Sequence, residues 1–257
     1  MLGKKQNINN DEWLRAVTYI EKTVSRDEIN NLMVSTINDI KNHIKEINSA
    51  YAWSGGKDSI VLGDICQKAG VNNCMIGICN LEYPKFLNWI KDNKPKNCKV
   101  INTGQDIIWL SKNQNMLFPK KSDTASKWFS IVQHRAQRKY VEENNIKILI
   151  LGRRKADGNF VGRKENIYTD SKGITKYSPL SDWRHEDILS YIYYNKLKLP
   201  PIYNWYNGYK CGTHPWPARQ WTNGNGWSEI YNIDKSIVVS AAKYISSAAE
   251  FLKNVEV

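Results

Sequence analysis

Short apolar runs alternate with segments of helical periodicity between residues 49 and 151, and this alternation restricts the fold more than any other feature. The apolar runs are AYAW, CMIGIC, CKVIN and IKILILG. Strands that alternate with helices in this way predict βαβ units, and hence an α/β fold with a doubly wound, mostly parallel sheet. In such sheets ligands bind beyond the carboxyl ends of the strands, which is where Ser54 and Gly152 fall.

The segments on either side of this alternation differ from it. Residues 1–48 carry apolar residues at helical spacing with a break near Ser25, which predicts an N-terminal helical segment that packs against the core. Residues 49–182 form the predicted nucleotide-binding core, and from Gly152 onward they are expected to be loop with at most a short hairpin. Residues 183–257 are predicted to form a C-terminal cap, with an aromatic-rich segment between a first helix and one closing helix.

Composition restricts the partners and the compartment. The formal net charge of +12 favours a ligand rich in phosphate or sulfate, which is either a nucleic acid or a small nucleotide. The five cysteines form neither Cys-Cys nor Cys-x-x-Cys pairs, so reduced thiols in a cytoplasmic protein are expected. No apolar run is long enough to span a bilayer, so no membrane partner is expected. Whether the chain forms a homodimer is left open.

The segment SGGKDS joins the first predicted strand of the core to the next helix. Its backbone N–H groups and the positive end of the helix dipole converge on one spot, which suits a phosphate. Asp58 is expected to cap the helix, to orient the lysine, or to bind a magnesium ion that bridges phosphates. The other members serve the anion directly, through close backbone approach, a full charge and hydroxyl groups: Ser54, Gly55, Gly56, Lys57 and Ser59.

The segment SGGKDS and three later segments resemble the phosphoadenosine phosphosulfate (PAPS) reductase-like family of the PP-loop superfamily, which includes the N-type ATP pyrophosphatases. SGGKDS is similar to the PP-motif itself. The later matches are GRRKADGNFVGR to a Gly-x-Arg…Arg anion-binding loop, YSPLSDWRHEDILSYI to a Pro-Leu-x-x-Trp segment, and LPPIYNWYNGYKCGTHPWPARQW to the stretch that follows. The resemblance covers about residues 49–222. It implies an adenine nucleotide ligand, ATP or PAPS, with the SGGKDS residues on its phosphate or sulfate.

The resemblance also implies a second anion-binding loop after the last core strand. Gly152, Arg153 and Arg163 would hold another anionic group of the nucleotide, since a planar guanidinium meets phosphate or sulfate oxygens bidentately. The alternative is an ordinary solvated loop. Three further basic residues nearby are interpreted as bystanders, namely Arg154, Lys155 and Lys164.

Other candidate residues lie outside these two loops. Glu82 stands where an acidic group would meet a ribose or a metal, and its alternative is a helix-start carboxylate beside Pro84. His214, a candidate catalytic residue, and Arg219, a candidate nucleotide-binding residue, belong to the segment that resembles the site-closing region of the family. His134 is interpreted as a satisfied or solvated side chain and not as a catalyst. The tryptophans between residues 205 and 227 indicate either a base-stacking surface or a rigid aromatic core.

The chain departs from the reductases of the family in its cysteines. Thiol-dependent PAPS reductases use a cysteine in a Glu-Cys-Gly-x-His motif near the C-terminus, whereas the last cysteine here is Cys211. Cys211 is therefore either a nucleophile or a small residue in a tight aromatic turn. The iron–sulfur reductases need a Cys-Cys pair and a Cys-x-x-Cys, so no iron–sulfur cluster is expected.

These departures favour ATP chemistry over sulfur reduction. The predicted function is an ATP pyrophosphatase that binds ATP with Mg²⁺ and adenylates a substrate with release of pyrophosphate. Lys57 and Asp58 are its predicted catalytic residues, and sulfur transfer or nucleic-acid modification such as DNA phosphorothioation is its predicted context. The alternatives are a thiol-dependent PAPS reductase and a non-catalytic module that binds nucleotide or nucleic acid.

Overall fold

The computed structural model describes residues 2–3, 5–120, 122–163, 166–219 and 226–255. Within them lies a six-stranded sheet in the order β3-β2-β1-β4-β6-β5, and every neighbouring pair is parallel except β5 with β6. The strands are β1 (Ser49–Ala52), β2 (Cys74–Ile78), β3 (Cys98–Asn102), β4 (Ile148–Ile150), β5 (Ile167–Thr169) and β6 (Thr175–Tyr177). The predicted α/β class and the mostly parallel sheet are confirmed.

Helices surround the sheet. In the chain they precede the first strand, alternate with the strands, and follow the last one. The N-terminal and core helices are α1 (Asn10–Thr18), α2 (Ile20–Thr23), α3 (Arg26–His43), α4 (Lys57–Lys68), α5 (Pro84–Asn93), α6 (Ile107–Lys112), α7 (Ser122–Trp128) and α8 (Arg135–Glu143). Those of the cap are α9 (His185–Tyr194), α10 (Gly208–Cys211), α11 (Gly226–Ile233), α12 (Lys235–Ala242) and α13 (Ser246–Val255). A π-helical segment, Phe129–His134, joins α7 to α8.

The two faces of the sheet contact different helices, because successive side chains of a strand point to opposite faces. Along β1, Tyr51 belongs to the large apolar cluster that also contains side chains of α3, α4 and α9. Ala50 belongs instead to a smaller cluster, which contains Ala136, Tyr140 and Val141 of α8. The helix that follows the SGGKDS segment and α8 therefore lie on opposite faces of the sheet.

Several local predictions hold and others need correction. Ser25 caps α3 through its side chain, at the predicted break in the N-terminal segment. The hairpin predicted after Gly152 exists, but it extends the sheet, because β6 pairs with β4. The single closing helix predicted from Asp234 is instead two, α12 and α13, interrupted after Ala242. No helix in the described part of the chain combines the length and apolar character that crossing a bilayer requires.

Candidate active site

The SGGKDS segment forms a tight loop between β1 and α4 at the carboxyl edge of the sheet. Gly55 has φ +68°, a left-handed conformation that glycine adopts without steric cost. The Ser59 hydroxyl fastens the loop, since it accepts a hydrogen bond from the Ser54 N–H at 3.0 Å and donates to the Gly56 carbonyl at 2.9 Å. Gly56 is the N-cap of α4, so the loop amides lie at the positive end of that helix.

Four charged side chains form a network beside this loop. The Lys57 ammonium donates to Asp58 Oδ2 at 2.7 Å, and the Arg154 Nε donates to Asp58 Oδ1 at 2.8 Å. Arg154 also contacts Asp157 at 2.9 Å. Lys57 and Arg154 are buried, with 1% and 0% of their surfaces exposed. The carboxylates therefore compensate two cations that would otherwise be costly to bury.

The buried network lowers the pKa of both Asp58 and Lys57. Burial acts to raise the pKa of Asp58, but the Lys57 and Arg154 charges outweigh it and hold the pKa below its ordinary value. Burial lowers the pKa of Lys57, and the Asp58 carboxylate opposes that shift. Asp58 thus orients Lys57, one of its three predicted roles.

Residues from outside the core cover the loop. The Tyr203 hydroxyl accepts a hydrogen bond from the Lys57 backbone N–H at 2.7 Å. A Cβ at Gly56 would lie 3.2 Å from the Thr213 Oγ1, so the cap backs directly onto this glycine. The Lys57 Nζ lies 5.2 Å from the centre of the Trp13 ring, a cation–π contact from α1. The N-terminal segment, predicted to be a packing element only, thus contributes a side chain to the site.

His185 extends the charged network towards Trp13. Its Nδ1 lies 3.0 Å from the Arg154 Nη2, which can only donate, so the neutral ring carries its proton on Nε2. The rings of His185 and Trp13 meet edge to face, with 4.7 Å between their centroids. The buried His185 Nε2 has no hydrogen-bond partner among the described residues. Burial, followed by the Arg154 and Lys57 charges, lowers the pKa of His185 to about 4. The ring is therefore neutral at physiological pH.

Asp58 does not fit the predicted role of a metal ligand. Arg154 and Lys57 already engage both of its oxygens. Within the described ranges, no group of three acidic, histidine or cysteine side chains is arranged to hold a metal ion. A magnesium ion brought by ATP would have to be held chiefly by the phosphates, as is usual for this strongly hydrated ion.

A comparison with models of protein families gives a match that includes this site. The family model of the phosphoadenosine phosphosulfate reductase domain matches residues 48–211, more than half of the chain. The chain belongs to this family. The match begins just before β1 and includes the SGGKDS loop, Arg154, His185 and Tyr203.

The solved structures that are similar to this PAPS reductase-domain protein have low sequence identity to it. PAPS reductase from Candida auris, in its phosphate complex, is 15% identical with a TM-score of 0.51, over 70% of this chain and 92% of that one. NH₃-dependent NAD synthetase from Campylobacter jejuni is 12% identical with a TM-score of 0.47, over 86% and 95%. The U34-tRNA thiolase from Methanococcus maripaludis is 13% identical with a TM-score of 0.44, over 95% and 80%. Curated proteins give no match.

Arg153 and Arg163, the two arginines predicted to bind a second anion, lie in different surroundings. Arg153 donates from Nη1 to the Tyr168 hydroxyl at 3.0 Å, whereas Arg163 is exposed in the following loop. No hydrogen bond or ion pair between them is found in the described part of the chain. Gly152 does lie at the site, because a Cβ there would stand 3.4 Å from the Asp58 carbonyl.

The interpretation of Arg154 as a bystander is wrong. Arg154 is buried and holds Asp58, whereas its neighbour Arg153 faces the β5–β6 hairpin. Counting Gly-x-Arg from Gly152 reaches Arg154 rather than Arg153, so the motif itself carried the signal. Of the other two basic residues, Lys155 is exposed and pairs with Asp182 at 2.6 Å, and Lys164 lies outside the described residues.

Arg219 is committed to the interior of the cap. It is 2% exposed, its Nε donates to Glu229 Oε1 at 2.6 Å, and its Nη2 donates to the Tyr206 carbonyl. These contacts give it a part in cap structure, and its contact with nucleotide stays a prediction. Trp216 and Trp227 are likewise buried against each other, as the aromatic-core interpretation expects.

Cys211 and His214 lie in the cap segment near Arg219. Burial raises the pKa of the Cys211 thiol, which is 8% exposed. Burial, together with Lys5 and Arg219, lowers the pKa of His214 to about 4. A thiol that resists ionisation is a poor nucleophile, so this environment disfavours attack by Cys211. Lys5, like Trp13, comes from the N-terminal segment, and the sequence does not predict that either residue lies near these side chains.

Glu82 follows β2 and is a buried carboxyl group with an unusual pKa. Its Oε1 accepts a hydrogen bond from the Cys79 N–H at 3.4 Å, and the residue is 7% exposed. Burial raises its pKa to about 8, although the bond from Cys79 acts in the opposite direction. The protonated acid therefore predominates at neutral pH, which suits neither a metal ligand nor the predicted helix-start carboxylate.

Proposed function

We propose that this protein is an ATP pyrophosphatase that adenylates an acceptor. ATP binds with its Mg²⁺ at the SGGKDS loop, and an oxygen of the acceptor forms a bond to the α-phosphorus. The bond from that phosphorus to the bridging oxygen breaks, and pyrophosphate leaves. Sulfur transfer or nucleic-acid modification is the context in which such an adenylated acceptor would be used.

The observation that carries the proposal is the arrangement of the glycine loop, the α4 amides and the Lys57 ammonium. The loop amides lie at the N-terminus of α4, and Lys57 is the first residue of that helix, so this helix end suits the negative charge of a polyphosphate. Asp58 and Arg154 hold the lysine in a fixed direction, so little reorganisation is needed when charge develops on the leaving group. Catalysis would depend on positioning and charge neutralisation, which need no thiol.

Nucleotide binding makes one demand on the cap. The Tyr203 hydroxyl engages the Lys57 N–H, an amide that a phosphate oxygen would otherwise accept from. In the proposed mechanism the hydroxyl yields this amide to the phosphate when ATP enters. In this mechanism the Lys57 ammonium stays bonded to Asp58 and shares its charge with the ligand.

The second candidate is a sulfonucleotide reductase, because the matching family is that of the phosphoadenosine phosphosulfate reductase domain. It would release sulfite from PAPS with electrons from an external thiol, and it would use Cys211 as the nucleophile if any residue of this chain does so. The raised pKa of Cys211 disfavours that step.

One paired assay separates the candidates. The protein is incubated with ATP and Mg²⁺ in one tube and with PAPS and dithiothreitol in another, and pyrophosphate and sulfite are measured. We expect pyrophosphate in the first tube when an acceptor is supplied, and kcat/KM at least about 100-fold lower in Lys57→Ala, because a preorganised charge at the transition state is lost.

The matched control is Lys91→Ala, which removes an exposed lysine from α5 and should behave as the wild type. Sulfite in the second tube without pyrophosphate in the first would reject the proposed function in favour of the reductase. Tight ATP binding with neither product would favour the non-catalytic module.

A further inference from the structure

A cationic groove lies between α8 and the β5–β6 hairpin, on the face of the sheet opposite α4. Its volume is about 310 Å³. Tyr168 and Lys176 are directly paired across β5 and β6, so both side chains point to this one face of the hairpin. Arg153, from the segment after β4, and Arg138 of α8 also line the groove.

Positive charge in the groove exceeds what its carboxylates compensate. Four cations line it, Arg138, Arg153, Lys172 and Lys176, against the carboxylates Asp170 and Glu142. The Lys176 ammonium lies 3.6 Å from Asp170, a long ion pair. Neither arginine forms an ion pair within the described residues.

The same cations act together on His134, which also lines the groove. Burial lowers the pKa of His134, and the charges of Arg153, Arg138 and Lys176 lower it further. These cations come from three parts of the chain, α8, the segment after β4, and β6. Such a convergence creates the positive potential that attracts a polyanion.

An aromatic edge adjoins the groove. Phe160 is 56% exposed and meets Tyr168 edge to face, with 5.1 Å between ring centroids. The Tyr168 hydroxyl accepts from Arg153, so the aromatic pair stands beside a cation that faces the groove. Cations along a path with aromatic rings beside it are what sequence-tolerant binding of single-stranded nucleic acid uses, because phosphates follow the charges and bases stack on the rings.

We propose that this groove binds the phosphodiester backbone of a nucleic acid and presents it to the ATP site. The inference rests on the proposed function in making the nucleic acid the adenylyl acceptor, whereas binding itself is independent of it. Arg153 directly follows Gly152, whose Cα approaches the start of α4 closely enough that a Cβ would stand 3.4 Å from the Asp58 carbonyl. The groove and the SGGKDS loop are therefore linked by two consecutive residues, Gly152 beside the loop and Arg153 in the groove lining.

The test measures binding of a fluorescein-labelled single-stranded oligonucleotide of mixed sequence by fluorescence anisotropy, in DNA and RNA forms. We expect Arg138→Ala and Lys176→Gln each to weaken binding about tenfold, as the loss of a charged hydrogen bond would. The slope of log affinity against log salt should fall by about 1 for each substitution. Arg15→Ala, an exposed arginine of α1, is the matched control and should bind as the wild type.

Equal weakening of oligonucleotide binding by Arg15→Ala would overturn the proposal that the groove is the binding site, because affinity would then reflect net charge alone. Displacement of the oligonucleotide by AMP or sulfate at comparable concentration would also overturn it, in favour of a small-anion site. Lys57→Ala should lose pyrophosphate release and keep oligonucleotide binding. If the wild type binds oligonucleotide through the groove but releases no pyrophosphate, the proposed function fails and the groove stands.

Discussion

Arg153 and Arg154 are consecutive, yet they belong to two regions with opposite physical characters. Arg154 is fully buried, and Asp58, Asp157 and the ring of His185 surround its guanidinium. Arg153 faces an open groove, where its described partner is the neutral hydroxyl of Tyr168. The backbone at Arg154 is extended, with φ −134° and ψ 147°, and extended residues direct successive side chains to opposite sides.

The difference shows how two adjacent cations can perform two kinds of work. In the buried region carboxylates pair with each cation, so the charges fix the geometry of the site. In the groove the cations outnumber the carboxylates, so the charge is available to a ligand. A ligand that needs precise orientation suits the first region, and a flexible polyanion suits the second.

The largest expected effect comes from removing the buried arginine. Arg154→Met should lower the free energy of unfolding by about 3 kcal/mol or more, because Asp58 and Asp157 lose a buried counter-charge. Urea unfolding followed by circular dichroism measures it. Arg153→Met is the matched control and should change stability by less than about 0.5 kcal/mol, as surface substitutions usually do. Equal losses of unfolding free energy in the two variants would contradict the distinction between a buried and an open region.

A pH dependence of stability should come from the buried side of the site. The pKa of Glu82 is raised to about 8 in the folded protein, above its value of about 4.3 in an unfolded chain. The folded state then holds the proton when the unfolded state has lost it. Stability is therefore full below the unfolded pKa and declines as pH rises towards about 8, by at most about 1.4 kcal/mol per pH unit.

Glu82→Gln should flatten this decline, which urea midpoints between about pH 5 and pH 8 would record. The control lies in the groove. Hydrogen bonds from Ile174 and Lys172 outweigh burial and lower the pKa of Asp170. Asp170 is then ionised in both states across this range, so Asp170→Asn should keep the wild-type slope. A slope unchanged in Glu82→Gln would contradict the buried neutral acid.

The sequence predicts the buried region better than the open one. Alternating strands and helices define the parallel sheet, and the SGGKDS segment locates the loop at its carboxyl edge. Both follow from local periodicity and turn chemistry. The groove depends on β6 pairing with β4, a contact between residues far apart in sequence, so the cations of α8 and β6 give no common local signal. For the same reason the sequence indicates no more for His134 than a satisfied or solvated side chain.

The N-terminal segment shows the same limit. Trp13 and Lys5 look like parts of an amphipathic packing element, and nothing in their spacing indicates Lys57 as a neighbour. Trp13 reaches Lys57 because it packs in a cluster with Tyr203 and Tyr209 of the cap. A tertiary contact of this kind is specified by shape and burial across the whole chain, which periodicity does not report.

The smallest expected effect tests whether the buried region must open. Tyr203→Phe removes the hydroxyl that accepts from the Lys57 N–H, so a phosphate oxygen no longer competes with it. ATP should bind about fivefold more tightly, equivalent to one hydrogen bond of about 1 kcal/mol, as isothermal titration calorimetry would measure. Tyr209→Phe, on the ring 4.9 Å away, is the control and should leave the affinity unchanged. Weaker binding in Tyr203→Phe alone would mean that the hydroxyl binds the nucleotide, and the cap would then be part of the closed site rather than a cover over it.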